Sequence, residues 1–265
     1  MNEKYGTLVP TGKLVDNKAR AIVYDATKCI GCRQCVHACK DWHDHRRTTV
    51  YEFSSTNWIT MEPPVQEGLS PLWARNSCMH CEYPSCAAIC PVEAITKCAE
   101  GPAVIDKDSC IGCEYCMYAC PWGVISKDEA SGKASKCTMC SDRVSVGQSP
   151  FCVQACPVSA LEFGPREEMS AKAKARAAEV GGYLYGDREA AGTQVLSVLT
   201  EKKEVYGVRP LGTEKYLRGE VPASLMLKDV FTLRLGLAAK LRALSLALIH
   251  PKRLLFRYWP SRNIA

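Results

Sequence analysis

The run Cys110-Ile111-Gly112-Cys113-Glu114-Tyr115-Cys116-Met117-Tyr118-Ala119-Cys120-Pro121 constrains this chain more than any other stretch, because its thiols fall at the spacing C-x2-C-x2-C-x3-C-P. Three thiolates that close together can occupy three corners of a cubic iron-sulfur cluster, while the fourth, followed by proline, is turned toward a second cluster. Such a run expects partner runs, and the chain has them. Cys29, Cys32, Cys35 and Cys39 repeat the x2, x2, x3 spacing. Cys78, Cys81, Cys86 and Cys90 follow it with an x4 gap, and Cys137, Cys140, Cys152 and Cys156 with an x11 gap. Sixteen of the 17 cysteines are thereby used.

Disulfides could use as many cysteines, but disulfide-dense scaffolds are typical of short secreted chains, and no N-terminal secretory pattern is read here. Structural zinc is the other alternative, since C-x2-C pairs also hold zinc. Zinc ribbons place two such pairs across a longer gap, whereas here every group closes with a cysteine at x3, and three of the four then continue into proline. Four 4Fe-4S clusters account for the pattern better. The remaining thiol, Cys98, is placed in the turn from Lys97 to Gly101 and read as a free thiol without a cluster role.

The segment from Asp25 to Cys32 matches that from Asp106 to Cys113 in its aspartate, cysteine, isoleucine and glycine positions, an internal repeat. Gly31 and Gly112 belong in such loops because backbone must pass close to the cluster without a Cβ. Short β-like runs, Ala21 to Asp25 and Ala103 to Asp106, deliver the loops, which is the alternation of strand, ligand loop and turn found in ferredoxin modules. Lys40 stands where the other groups have proline, so a helix is expected to continue through Asp41, Trp42 and His43. The fold class is α+β: two interleaved ferredoxin-like modules, each holding two clusters, with a C-terminal helical extension.

Ligand exchange between groups closes the cysteine count. Adjacency gives an inner pair, in which Cys78, Cys81, Cys86 and Cys120 hold one cluster and Cys110, Cys113, Cys116 and Cys90 another. What remains is an outer pair, with Cys29, Cys32, Cys35 and Cys156 on one cluster and Cys137, Cys140, Cys152 and Cys39 on the other.

The organisation expected is a double iron-sulfur domain over residues 1–165, with 41–77 inserted as a cover, an α/β extension over 166–220, and a basic amphipathic tail over 221–265. Within the insertion, His43, His45, Arg46 and Arg47 could ligate a metal or bind an anion, but are read as a solvated loop or a subunit contact. A net charge of +6 without a basic stripe interleaved with aromatics gives no basis for nucleic-acid binding. In the tail, the apolar stretch from Val230 to Ile249 is interrupted by Arg234, Lys240 and Arg242. Central cations make spanning a bilayer costly, so docking on a partner ranks first, binding at a membrane surface second and spanning third.

With the four groups in view, the chain resembles the four-cluster iron-sulfur subunits of the molybdenum or tungsten pterin oxidoreductases. The resemblance rests on the segments from Ala38 to Trp42, from Cys78 to Cys86 and from Lys136 to Arg143. It implies an electron-transfer subunit, not catalytic alone, whose partner is a large pterin-containing catalytic subunit. A membrane cytochrome, quinone-reactive or other redox subunit is the implied acceptor. Gly192 and Thr193, ahead of a strand at Val195 to Leu199, are similar to the segment after the last cysteine group of formate dehydrogenase β subunits, although Ala191 replaces a glycine there. Formate dehydrogenase is therefore the expected complex. Sulfur-compound, nitrate or dimethyl sulfoxide reductases and a stand-alone polyferredoxin are the alternatives, and an ordinary glycine turn is the plainer reading of the motif. The compartment stays open between cytoplasm and periplasm.

Overall fold

A computed structural model describes residues 8–9, 19–48, 52–63 and 73–202. The expected tail over 221–265 and the end of the 166–220 extension lie outside the described residues. The chain runs β1 (Leu8–Val9), β2 (Arg20–Asp25), α1 (Gln34–Trp42), β3 (Ile59–Glu62), β4 (Ala74–Ser77), α2 (Ser85–Ala88), β5 (Ile95–Cys98), β6 (Ala103–Ile105), α3 (Tyr115–Ala119), β7 (Ser126–Lys127) and β8 (Ala134–Ser135). It continues as α4 (Ser141–Val144), α5 (Phe151–Gln154), β9 (Leu161–Pro165), α6 (Arg166–Glu179), β10 (Tyr183–Tyr185) and β11 (Val195–Leu199).

Most of these elements are too short to be stable alone, and the largest sheet supplies the frame. Its order is β10-β11-β2-β9, with β11 parallel to β2 and the other pairs antiparallel. Strand alternation sends Ala21 and Val23 of β2, with Leu196 and Val198 of β11, to one face. There they meet Met169, Ala173 and Ala177 of α6, which recur every four residues along one helix face. Glu167 and Glu168 in the first turn and Arg176 in the last complement the helix dipole. Ile22 and Tyr24 of β2, with Val195 and Leu199 of β11, face the other way and pack among the cysteines. The sheet is thus a floor, with a helix beneath it and the thiols above.

Because β11 lies against β2, the expected boundary at 165/166 runs through one packing unit. Two expectations are corrected. Cys98 ends strand β5, paired with Leu8 and 1% exposed, rather than lying in the turn. Within the 41–77 segment, the antiparallel pair β3–β4 places Ile59, Met61 and Ala74 in the core, and the two histidines expected in a solvated loop or subunit contact meet an indole. His43 and His45 each pack 4.6 Å from the ring of Trp58. Tilted and edge-on contact with an indole competes with hydration, which the residue types alone did not show.

Asp25, at the end of β2, holds helix to sheet. Burial pushes its carboxyl up, but hydrogen bonds outweigh that and hold it below the usual carboxylate range: Thr27 donates through N and Oγ1, and Arg176 Nε donates at 2.8 Å. A carboxylate held low stabilises the fold at neutral pH and loses that contribution as the pH falls through its folded value. Asp25→Asn should therefore cost about 1–3 kcal/mol at pH 7, and its thermal unfolding should converge with that of the parent as the buffer is acidified.

Candidate functional site

No disulfide links any of the 17 cysteines. Cys32 is exposed, Cys29, Cys110, Cys120, Cys137 and Cys156 are half-buried, and the rest are buried. Cys29, Cys32, Cys35 and Cys156 line one cavity, together with Tyr24, Met61 and Arg75. Cys90, Cys110, Cys113 and Cys116 line another, walled by Val92, Ile95, Ile105 and Ala134. Cys81 lies close to Cys86, Cys78 and Cys120, and Cys39 close to Cys137, Cys152 and Cys140. Burial first, and the neighbouring thiols next, push Cys81 and Cys39 well above the ordinary thiol value. Burial likewise raises Cys35, Cys86 and Cys137 to about 12. Empty, such sites hold protons, so loading them with metal must release protons.

The repeat in the sequence is also a repeat in backbone dihedrals. Gly31 and Gly112 both have φ +68°, and two positions later Arg33 and Glu114 have φ +59° and +67°, immediately before α1 and α3. An added Cβ on Gly112 would lie 2.0 Å from the Gly132 carbonyl oxygen, and one on Gly31 would enter the Trp73 indole. A second repeat follows each cysteine-proline pair. Glu93, Gly123 and Ser159, each three residues after the cysteine, have φ +54°, +61° and +50°. Proline stops the helix and the left-handed residue folds the chain back, aiming amides at sulfur. Val92, Ala94 and Ile95 donate to Cys90, Val124, Trp122 and Gly123 to Cys120, and Ala160 N donates to Cys156 Sγ at 3.3 Å. At Cys39, followed by Lys40, α1 continues past the cysteine through Trp42, with the expected third residue, His43, as its C-cap.

Thiols arranged around cavities, backed by glycine loops and converging amides, fit a cubic cluster. Amide donors to sulfur stabilise the extra negative charge of a reduced cluster. Among the described residues, no three His, Cys, Asp or Glu side chains converge as a single bound ion requires.

The sequence reading missed the cations. Lys40, Arg75, Lys97 and Lys136 are all 7% exposed or less. Lys97 donates to the carbonyls of His80 (2.9 Å) and Cys81 (2.7 Å), and burial lowers its ammonium to about 8. Lys136 donates to the carbonyls of Ala103 and Cys137. Burial opposes its charge, but Cys78, Cys86 and Cys137 outweigh that and raise it. Lys40 and Lys136 lie within the segments that carry the resemblance, but their burial, like that of Arg75 and Lys97, depends on neighbours distant in sequence.

Comparison with known proteins accords with this geometry. Residues 28–94 and 69–166 each match a 4Fe-4S dicluster domain. The iron-sulfur subunit of the nitrate-inducible formate dehydrogenase of Escherichia coli (strain K12) is 36% identical over 223 residues, 76% of each chain. The B subunit of the anaerobic dimethyl sulfoxide reductase of the same organism is 40% identical over 154 residues, 56% of this chain and 74% of the relative. The formate dehydrogenase iron-sulfur subunit of Haemophilus influenzae is 36% identical over 226 residues, 77% of this chain and 72% of the relative. The chain belongs to this family of iron-sulfur subunits. It is an electron-transfer protein that binds 4Fe-4S clusters, of the kind that serves molybdopterin oxidoreductases.

Gly192 and Thr193 have a structural role beyond a turn. Thr193 is fully buried and donates to Gly186 O and Val195 O, Gly192 O accepts from Glu82 N at 2.8 Å, and Gln194 Nε2 donates to Glu82 Oε2. The segment straps the loop that carries Cys81 and Cys86. Ala191 adopts φ +60°, a conformation glycine would adopt with less strain.

Gly112→Ala must move either its own loop or the Gly132 turn. The variant should lose one cluster, about a quarter of the bound iron, as read by iron and sulfide analysis together with low-temperature EPR.

Proposed function

We propose that this subunit relays electrons through four 4Fe-4S clusters between a large molybdenum or tungsten pterin subunit and a downstream acceptor, and that the partner interconverts formate and carbon dioxide. The ligand sets are Cys29, Cys32, Cys35 and Cys156 (cluster 1); Cys78, Cys81, Cys86 and Cys120 (cluster 2); Cys110, Cys113, Cys116 and Cys90 (cluster 3); and Cys137, Cys140, Cys152 and Cys39 (cluster 4). The observation that supports this reading is that two cavities are each lined by four thiols, three from one group and one from another, while Cys81 is acted on by Cys86, Cys78 and Cys120 and Cys39 by Cys137, Cys152 and Cys140.

The proposed order of transfer is 1–4–2–3 or its reverse. Cys35 feels Cys152, Cys137 feels Cys78, and Cys116 feels Cys86, so consecutive clusters in that series have adjacent ligands. One electron moves between cysteine-held clusters with little rearrangement, so short steps between neighbours suffice. Substrate chemistry belongs to the partner and no residue here is assigned a catalytic role. The basic tail is proposed to dock on the membrane or redox subunit that accepts the electrons.

Formate is favoured because the formate dehydrogenase relatives match over three quarters of this chain, past the last cysteine group. A dimethyl sulfoxide reductase partner is the second reading, supported by the higher identity over a shorter match. Purification of the native complex decides between them, by whether it reduces an artificial acceptor with formate or oxidises a reduced dye with dimethyl sulfoxide. Recovery of the chain alone would instead support a free polyferredoxin.

The ligand exchange makes its own prediction. Cys120→Ser should perturb the EPR signal of cluster 2 and Cys113→Ser that of cluster 3. Perturbation of the same signal by both would overturn the partition.

A further inference from the structure

Arg75, on β4, belongs to no cysteine group and is only 7% exposed. It lines the cavity of Cys29, Cys32, Cys35 and Cys156, and its Nη2 lies 3.6 Å from Cys152 Sγ, in the neighbouring set. The thiols acting on it most strongly are Cys152, Cys35, Cys137 and Cys39, drawn from both sides of that junction. Nη1 donates to Ser77 Oγ at 2.9 Å, while Nε is buried with no hydrogen-bond partner among the described residues. Glu62 lines an adjoining cavity with Arg75, yet no carboxylate of the described residues forms an ion pair with it.

A guanidinium stays charged under all ordinary conditions and is costly to bury without an anion. The anions on offer are two clusters, each net negative through its four thiolates. We propose that Arg75 is a potential-tuning residue set between clusters 1 and 4, whose fixed positive charge favours the reduced form of both and so raises both potentials together. Reduction adds one negative charge to a cluster, and a buried cation beside it stabilises that added charge more than water-screened surface charges can. A cation shared by both shifts the two potentials in the same direction, so their difference is changed less than either potential. The inference rests on the ligand sets proposed above.

The test is an EPR-monitored redox titration of the full chain in its native complex, alongside iron and sulfide analysis. In Arg75→Gln, two of the four signals should titrate with at least tenfold weaker electron affinity, which is about 59 mV for one electron, while the other two stay in place. Arg75→Lys keeps the charge and should restore both toward the parent value. Full iron content with all four potentials unmoved, or with all four moved equally, would overturn the tuning role. So would an Arg75→Lys variant as shifted as Arg75→Gln.

If Arg75→Gln fails to assemble its clusters, Ser77→Asp takes its place. Ser77 already accepts from Arg75 Nη1 and lines a cavity with it, so a carboxylate there can pair with the guanidinium and offset its charge with Arg75 retained. The potentials of clusters 1 and 4 should fall, with that of cluster 2 beside them because Cys78 is the next residue; clusters 1 and 4 unmoved with iron content intact would overturn the proposal. Failure of the ligand sets is seen separately. In that case the signals shifted in the Arg75 variants would not be those altered by Cys35→Ser and Cys152→Ser.

Discussion

The structure depends on thiols of the first and last cysteine groups being gathered against one another. Cys35 meets Cys152, and Cys39 meets Cys137 and Cys140. Water-free thiols crowded in this way gain little from one another when empty, since burial and mutual repulsion both oppose their ionisation. A cationic iron-sulfide core changes the sign of that interaction, because it demands four thiolates and neutralises them. The cysteines therefore occupy the place an aliphatic cluster has in other domains, and much of the folding free energy becomes metal-binding free energy. Short elements such as α2, α3, α4 and α5 can be tolerated because cluster ligation, rather than helix length, holds them.

The frame around the thiols follows more ordinary rules. The alternation of Ala21 and Val23 with Ile22 and Tyr24 divides β2 between a helix below and cysteines above. Each cysteine-proline turn uses one left-handed residue to direct amides at sulfur, and the chain repeats the device at Glu93, Gly123 and Ser159. Electrostatics are handled by two means: fixed amide dipoles close to individual sulfurs, and the buried charges of Arg75 and Lys136, each acted on by thiols of more than one cysteine group.

Much of this was legible in the sequence because cysteine spacing maps directly onto ligand geometry. Strands β2, β6 and β11, helix α1 running past Lys40 and the glycine loops all lie where the pattern put them. What was not legible depends on neighbours distant in sequence. His43 and His45 read as polar loop residues because nothing local announces Trp58. The burial of Arg75 and Lys136 was not legible because it is a property of the assembled fold. Cys98 sits among turn-forming residues, but strand pairing with Leu8 decided its conformation. The 166–220 segment looked separable because the chain carries no mark that β11 will lie beside β2.

That last pairing has a consequence for biosynthesis. Strand β2 emerges early from the ribosome, yet its two neighbours in the sheet are β9 and β11, which end at Pro165 and Leu199. The first cysteine group likewise meets sulfur partners that are translated only after β8 is complete. The amino-terminal segment must wait, unpaired and with its thiols exposed, while most of the described chain is made. Completion of the sheet and of the sites that join the first and last cysteine groups therefore waits for residues far downstream, and a chain cut before β11 would be left with an open sheet edge beside β2.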